Sequence, residues 1–445
     1  MVFRLLALIS IAFAQNSGWH LDFMGIDSPI DCSKKVIALI DTGSEMSHPD
    51  LSGTFWVNSD EIPNNGKDDD QNGFIDDVNG YDFIKKTGTP TDEIGHGTQL
   101  HGVIASTKTG ICASARIMVL KVATKQKRSL EAIYQAINYA VQNGADIISM
   151  SQVLVISLGF PPRKFKRTIQ KAIDQGVLFV NAAGNFENVF RAGINTDADK
   201  AMRYIFPASF NLKNQLTVGS FSYDGRFSFL SPQDSKKLHL YAPGERIYTT
   251  TLAGKYRFQK GSSVAAPMVA AIAAHLWGEN PELSMTEVRK KLINNSLYHP
   301  TLANSLSSRV LNFKTLMGEA DPGSDQVVHY TDSKLIDIES EHPYPVNTRK
   351  TWKIEIPGAK WIKLHFRTIH VGDGIQTGNL QPQFLALRSS DETIYDLYSG
   401  RFIDRRNNIE SRPIKGDTVI IDLDARGGVA GNMYGFKLFK VSYQK

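Results

Sequence analysis

Cysteine is nearly absent: Cys32 and Cys112 are the only two among 445 residues. Nothing near either would form a thiolate–base pair, so a cysteine nucleophile is excluded. Charge of one sign is scarce too. Fifty lysines and arginines face 45 aspartates and glutamates, a formal net charge of +5. No dense basic stripe or stacking platform accompanies that small excess, which argues against a nucleic-acid partner. Long apolar runs are also missing. The apolar stretch at residues 5–13 is too short to span a bilayer. Arg4 precedes it and Ala12-Phe13-Ala14 at its end is a small-x-small cleavage site, so residues 1–14 read as a secretory signal peptide. The chain is therefore expected to be secreted, extracellular or periplasmic, with no membrane anchor.

Glycine is abundant at 35 residues and the apolar share is an ordinary 42%, which suits an α/β enzyme with many tight turns. The length suggests more than one domain. Val36-Ile37-Ala38-Leu39-Ile40 is apolar throughout and stops at Asp41. That is the pattern of a parallel strand buried on both faces, with its polar residue at the carboxyl end where ligands of open α/β sheets bind. Gly95-His96-Gly97-Thr98, followed by Leu100, Val103 and Ile104, puts His96 in the first turn of a buried helix. Gly261-Ser262-Ser263, followed by Ala265, Ala266, Met268, Val269 and Ile272, does the same for Ser263. Pro267 is expected in that helix's first turn, where proline is tolerated. Gly176-Val177-Leu178-Phe179-Val180-Asn181-Ala182-Ala183-Gly184-Asn185 is a further buried strand ending in small residues and an asparagine.

A nucleophilic serine needs a base, and the base needs a third group to fix its tautomer. Asp…His…Ser is one of three unrelated chain orders that build this geometry. At these segments the chain resembles the subtilisin-like serine proteases, the subtilases. The resemblance implies a mostly parallel α/β sheet flanked by helices over residues 15–317. It implies endopeptidase hydrolysis of polypeptide substrates through an acyl-enzyme, with no organic cofactor. Ser263 would attack, His96 would shuttle the proton, Asp41 would orient His96, and Asn185 would stabilise the oxyanion. Two other readings compete. Asp41-Thr42-Gly43-Ser44 also looks like an aspartic protease signature, but that mechanism needs two carboxylates sharing a proton, and no second copy occurs. A non-catalytic adhesive protein is countered by the presence of all four residues.

The chain departs from the family pattern in places. Ser262 replaces the usual Thr, Val264 the usual Met, and His101 stands where the family has Ala. The usual propeptide is not evident: residues 15–35 read as the N-terminal arm of a mature enzyme. Subtilases bind substrate as an extended strand between two backbone segments. One should follow Lys121-Val122, at residues 123–129. There Lys125, Gln126, Lys127 and Arg128 read either as a solvated basic loop or, with Lys125 and Lys127 as binding residues, as a preference for acidic side chains. The other should carry Ser-x-Gly, and two registers compete, Ser151-Gln152-Val153 and Ser157-Leu158-Gly159; the strand alignment favours Ser151.

Between Asp41 and His96 lies an acidic insert, residues 61–77. Asp68, Asp70, Asn72 and Asp76, with Gly73 for a sharp turn and the backbone carbonyl of Phe74, resemble an EF-hand-like calcium loop. Ile75 would plug the core. Structural calcium is the expectation, a solvated acidic loop the alternative. Cys32 and Cys112 each precede a core strand, so oxidation after export would give a disulfide; two unlinked thiols are the alternative.

Residues 318–325 read as a linker. Beyond it the texture changes to short alternating runs at 352–356, 361–366, 418–423 and 434–438, which argue for an all-β sandwich over residues 326–445. Glu341-His342-Pro343-Tyr344-Pro345, the two tryptophan strands and Tyr434-Gly435-Phe436 resemble a CUB-like domain. The expectation is an accessory binding or stabilising domain, with protein or carbohydrate as its ligand if it binds one.

Overall fold

The computed structural model describes residues 18–156, 162–185, 202–222, 237–298, 309–318, 332–340, 349–371, 384–390, 394–398, 400–402, 409–411, 414–424 and 435–445. Residues 1–14, expected to be a signal peptide, Ser157-Leu158-Gly159 and Glu341–Pro345 lie outside the described residues. The chain packs as two compact units, with the main division between Met317 and Gly318.

The first unit is built on eight parallel strands: β1 (Val36–Asp41), β2 (Gly80–Asp82), β3 (Arg116–Lys121), β4 (Ile147–Met150), β6 (Leu178–Ala182), β8 (Gln215–Phe221), β9 (Leu240–Pro243) and β12 (Arg309–Val310). Their order across the sheet is β12-β9-β8-β6-β4-β1-β3-β2. Two antiparallel pairs stand beside it, the distant β5 (Leu154–Val155) with β7 (Ile205–Phe206), and the hairpin β10 (Ile247–Thr251) with β11 (Lys255–Gln259). Strand β1 is central, with Ile37 opposite both Ile117 and Ile147.

Every residue of β1 is buried, because helices cover both faces. Ile37 and Leu39 join one core with α2 (His96–Ala105), α5 (Ser262–Glu279) and α6 (Met285–Asn294). Ala38 and Ile40 join another with α3 (Leu130–Gln142) and α4 (Arg163–Asp174). Alternate side chains of a strand point to opposite faces, so a run with no polar alternation is what a doubly covered strand requires. A short N-terminal helix, α1 (Trp19–Met24), packs Trp19 and Met24 onto the first of these cores.

His101, unexpected on a packed helix, is fully buried and satisfied at both ring nitrogens. Its Nδ1 lies 2.8 Å from Ser44 Oγ and its Nε2 2.8 Å from Thr54 Oγ1, while Phe55 meets the ring edge-on. Burial holds its pKa down at about 3, so it is a neutral polar strut. Cys32 and Cys112 are joined by a disulfide.

The second unit is a pair of antiparallel sheets. In one, Trp361–Val371 lies beside Gly435–Gln444, which in turn pairs with Asp332–Glu339. In the other, Thr418–Asp424 lies between Arg349–Glu355 and Phe384–Ser389. Leu364, Phe366, Phe436 and Leu438 from the first sheet share a core with Leu387, Val419 and Ile421 from the second. Among the described residues no helix is long and apolar enough to cross a membrane.

Candidate active site

Three element ends of the first unit converge. Asp41 is the last residue of β1 and only 1% exposed. His96 is the first residue of α2, and its Nδ1 lies 2.6 Å from Asp41 Oδ1. Gly97 permits this approach: a Cβ there would fall 2.0 Å from the Gly43 carbonyl oxygen. Its N–H donates to Thr42 Oγ1 at 2.8 Å, so the strand end and helix start are pinned together. Asp92 organises the helix start. Its Oδ1 accepts from the N–H groups of Ile94 and Gly95, and its Oδ2 from Thr98 N–H and Oγ1. These bonds satisfy donors that a helix N-terminus leaves without intrahelical partners.

Ser263 is the second residue of α5 and half-buried. At that position its N–H precedes the start of intrahelical bonding. Gly261 before it has φ +114°, and a Cβ there would meet the Asn185 amide at 2.8 Å. Asn185 follows β6, and its Oδ1 accepts from Ser262 N–H at 3.2 Å, while Ser262 Oγ donates to Gly184 O at 2.9 Å. The hydroxyl of Ser262 thus ties the asparagine's strand end to the serine's helix. With Oδ1 engaged, the Nδ2 donors of Asn185 are the ones left for the cleft.

Pro267 sits one turn farther into α5 than expected. Lacking an N–H, it leaves the Ser263 carbonyl without its i+4 donor. Ser151 Oγ supplies the bond instead, at 2.8 Å. The residue after it, Gln152, donates Nε2 to Asp41 Oδ2 at 3.0 Å. Neither contact was visible in the sequence.

His96, Ser263, Asn185, Thr42, Ser151 and Gln152 all line one cleft of about 490 Å³. Burial opposes the charged form of Asp41, but the His96 charge and hydrogen bond, with Gln152 and Thr42, bring its pKa below the usual carboxylate range. Burial also opposes charge on His96; Asp41 and Asp92 outweigh it and raise its pKa, while Arg128 works against them. A half-exposed serine, a histidine and a buried carboxylate at one rim is the equipment for acyl transfer.

Two groups of expected residues are placed differently. Lys125 and Lys127 are exposed and do not line the cleft, because the segment turns back at Ala123 and Arg128 and carries them on its outer side. Arg128 does line it, with Nη1 3.1 Å from Val153 O. In the acidic insert, Asp68 accepts from the backbone of Asn72 and Gly73, and Asp76 from that of Asn65 and Gly66. Those carboxylates stitch turns. The carboxylates that converge, within 4.8 Å of one another, are Glu61, Asp70 and Asp77. Asn72 reaches the same group through its side-chain amide, donating to Asp70 and Asp77. Ile75 is 50% exposed; Phe74 packs its ring against Tyr81, Phe83 and Tyr139 instead.

Residues 33–328 match the model of the Subtilase family. "Subtilisin-like protease 1" of Plasmodium berghei is 29% identical over 309 residues, 63% of this chain and 50% of that protein. The "Major intracellular serine protease" of Bacillus subtilis is 32% identical over 276 residues, 59% of this chain and 75% of its own. The chain spans about half the length of the Plasmodium relatives it matches. A solved structure described as a cold adapted subtilisin-like serine proteinase superposes with a TM-score of 0.53 at 22% identity, covering 66% of this chain and 97% of that one. That likeness speaks for the fold.

Proposed function

Because this chain belongs to the subtilase family, we propose that it is a secreted serine endopeptidase with Ser263, His96, Asp41 and Asn185 as its catalytic set. The observation that carries this reading is the 2.6 Å His96–Asp41 contact in the cleft that Ser263 and Asn185 also line. Asp41 accepts Nδ1–H, leaving Nε2 as the base. Ser263 Oγ adds to the scissile carbonyl as its proton passes to His96. The oxyanion is held by Ser263 N–H and Asn185 Nδ2. His96 then gives the proton to the amine as the C–N bond breaks, and water repeats the sequence on the acyl-enzyme. A fluorophosphonate probe should label the folded chain at Ser263, with hydrolysis insensitive to pepstatin. An unlabelled, pepstatin-sensitive enzyme would refute the reading.

Arg128 on the cleft wall supports a preference for acidic side chains, carried by it rather than by Lys125 or Lys127. A substrate carboxylate would replace the Val153 carbonyl on its guanidinium. Pairs this exposed contribute little, so Arg128→Ala is expected to cost about three- to fivefold in kcat/KM for acidic peptides and nothing for neutral ones. A peptide-library profile unchanged by the substitution would remove the claim.

The acidic insert fits a structural calcium ion held by Glu61, Asp70 and Asp77. Glu61 is 5% exposed, and its Oε2 has no partner among the described residues. A buried carboxylate oxygen beside two more carboxylates calls for a cation, and an all-oxygen set suits calcium. Saturating calcium should raise the melting temperature by about 5 °C or more over chelator, and Glu61→Gln should abolish that difference. Equal melting with and without calcium would exclude the ion.

Export rests on residues 1–14 and is checked by recovery of a shortened chain outside the cytoplasm. For the C-terminal sandwich, the proposed CUB-like binding role is checked by presenting the inactive full chain to glycan and peptide arrays; silence on both would leave a stabilising part.

A further inference from the structure

We propose that Gln152 is a positioning residue for the acid of the triad, a role that rests on the hydrolase reading above. The Asp41 carboxylate is held at three points. Its Oδ1 accepts from His96 Nδ1 at 2.6 Å and from Thr42 N–H at 2.8 Å. Its Oδ2 accepts from Gln152 Nε2 at 3.0 Å. A carboxylate that must stay ionised has only acceptor atoms, so it dictates which end of the amide faces it. The other end is left over: Gln152 is 6% exposed, and its Oε1 has no partner among the described residues.

That orphan is informative. A buried amide carbonyl without a donor costs stability, and an apolar side chain of similar length would avoid the cost. Packing therefore does not account for a glutamine at this position; the bond to Asp41 does. Rotation of the carboxylate about its Cβ–Cγ bond would take Oδ1 off the imidazole, and a donor on Oδ2 opposes that rotation. The neighbouring Ser151 donates to the Ser263 carbonyl at 2.8 Å. Consecutive residues of one segment thus touch both ends of the triad.

The charged groups bearing on His96 are Asp41 and Asp92, which favour its protonated form, and Arg128, which opposes it. Gln152 draws charge away from Asp41. Removing its amide leaves more negative charge facing the imidazolium, which then holds its proton more tightly.

The test is Gln152→Met in the full chain, read by melting temperature, by kcat and KM on one peptide, and by the pH profile of the fluorophosphonate reaction. Loss of the orphaned carbonyl offsets loss of the Asp41 bond, so melting should stay within about 2 °C of wild type. We expect kcat to fall about tenfold or more with KM within about threefold, and the acidic limb of the profile to rise by about half a pH unit. A kcat within twofold of wild type with an unmoved limb would overturn the proposal. If the methionine variant melts far below wild type, Gln152→Glu carries the test at constant size. Its carboxyl, kept protonated by burial beside Asp41, would donate to Oδ2 at low pH and repel Asp41 once ionised. The kcat should therefore fall about tenfold or more as pH rises through that ionisation, and an unchanged wild-type pH profile of kcat would be fatal to the idea. An inert wild-type chain would instead bring down the hydrolase reading, and Gln152's role with it.

Discussion

Replacing Ser263 with alanine is expected to lower kcat by about 10⁶-fold, the scale known for the serine of subtilisin, and to abolish fluorophosphonate labelling. The expectation follows from where Ser263 stands. On the proposed reading its Oγ is the nucleophile at the helix start, and among the described residues lining the cleft no other serine is free to replace it. Ser262 is fully buried and donates to Gly184 O; Ser151 donates to the Ser263 carbonyl. The residual rate would come from the oxyanion donors and substrate binding alone. The fold should be untouched, since alanine is a good helix former and the Ser263 side chain makes none of the bonds that anchor α5. Hydrolysis within a hundredfold of wild type would mean that another group attacks.

Asp41→Asn should cost about 10⁴-fold at neutral pH while leaving the cleft's shape intact. An asparagine can turn its NH₂ toward His96 Nδ1 and stabilise the wrong tautomer, with the proton on Nε2 where the base must be free. The sign of the pH effect follows too. Asp41 is the leading group raising the His96 pKa against burial. Without its charge burial dominates, the His96 pKa falls, and the acidic limb of kcat/KM moves to lower pH. Gln152→Met is expected to move the same limb the other way. A profile that shifted upward in the asparagine variant would contradict the assignment of Asp41 as the orienting anion.

The backbone of this arrangement was legible in the sequence because it obeys short-range rules. An apolar run ending at Asp41 is a doubly covered strand, and glycines beside His96 and Ser263 mark helix starts packed against other backbone. The contacts between side chains were not legible, for identifiable reasons. Gln152 reaches Asp41 only because β4 lies beside β1 in the sheet. Ser151 finds the Ser263 carbonyl because Pro267, four residues on, removed its normal donor. In the insert, spacing suggested Asp68 and Asp76, but a loop's backbone decides which way each carboxylate turns. Asp76 has a left-handed φ of +54° and turns back to the amides of residues 65 and 66, which leaves the inward direction to Asp77. Glu61 lies before the pattern begins and could be found only by its burial. The same local geometry exchanged Phe74 for Ile75 as the anchoring side chain.

The disulfide between Cys32 and Cys112 closes a loop across a sequence separation of 80. Inside it lie Asp41, the whole acidic insert and His96; Asn185 and Ser263 lie outside. The insert holds a run of exposed residues at 62–67, the kind of segment that proteases nick. A chain with the proposed peptidase activity would meet that hazard from its own copies. A single cut there would divide the polypeptide between the residue that orients the base and the base itself. Yet the fragments would stay covalently joined through the two cysteines, and each would keep its place in the sheet. On that reading the scarcest residue of the chain would keep the site joined after a cut in this exposed loop.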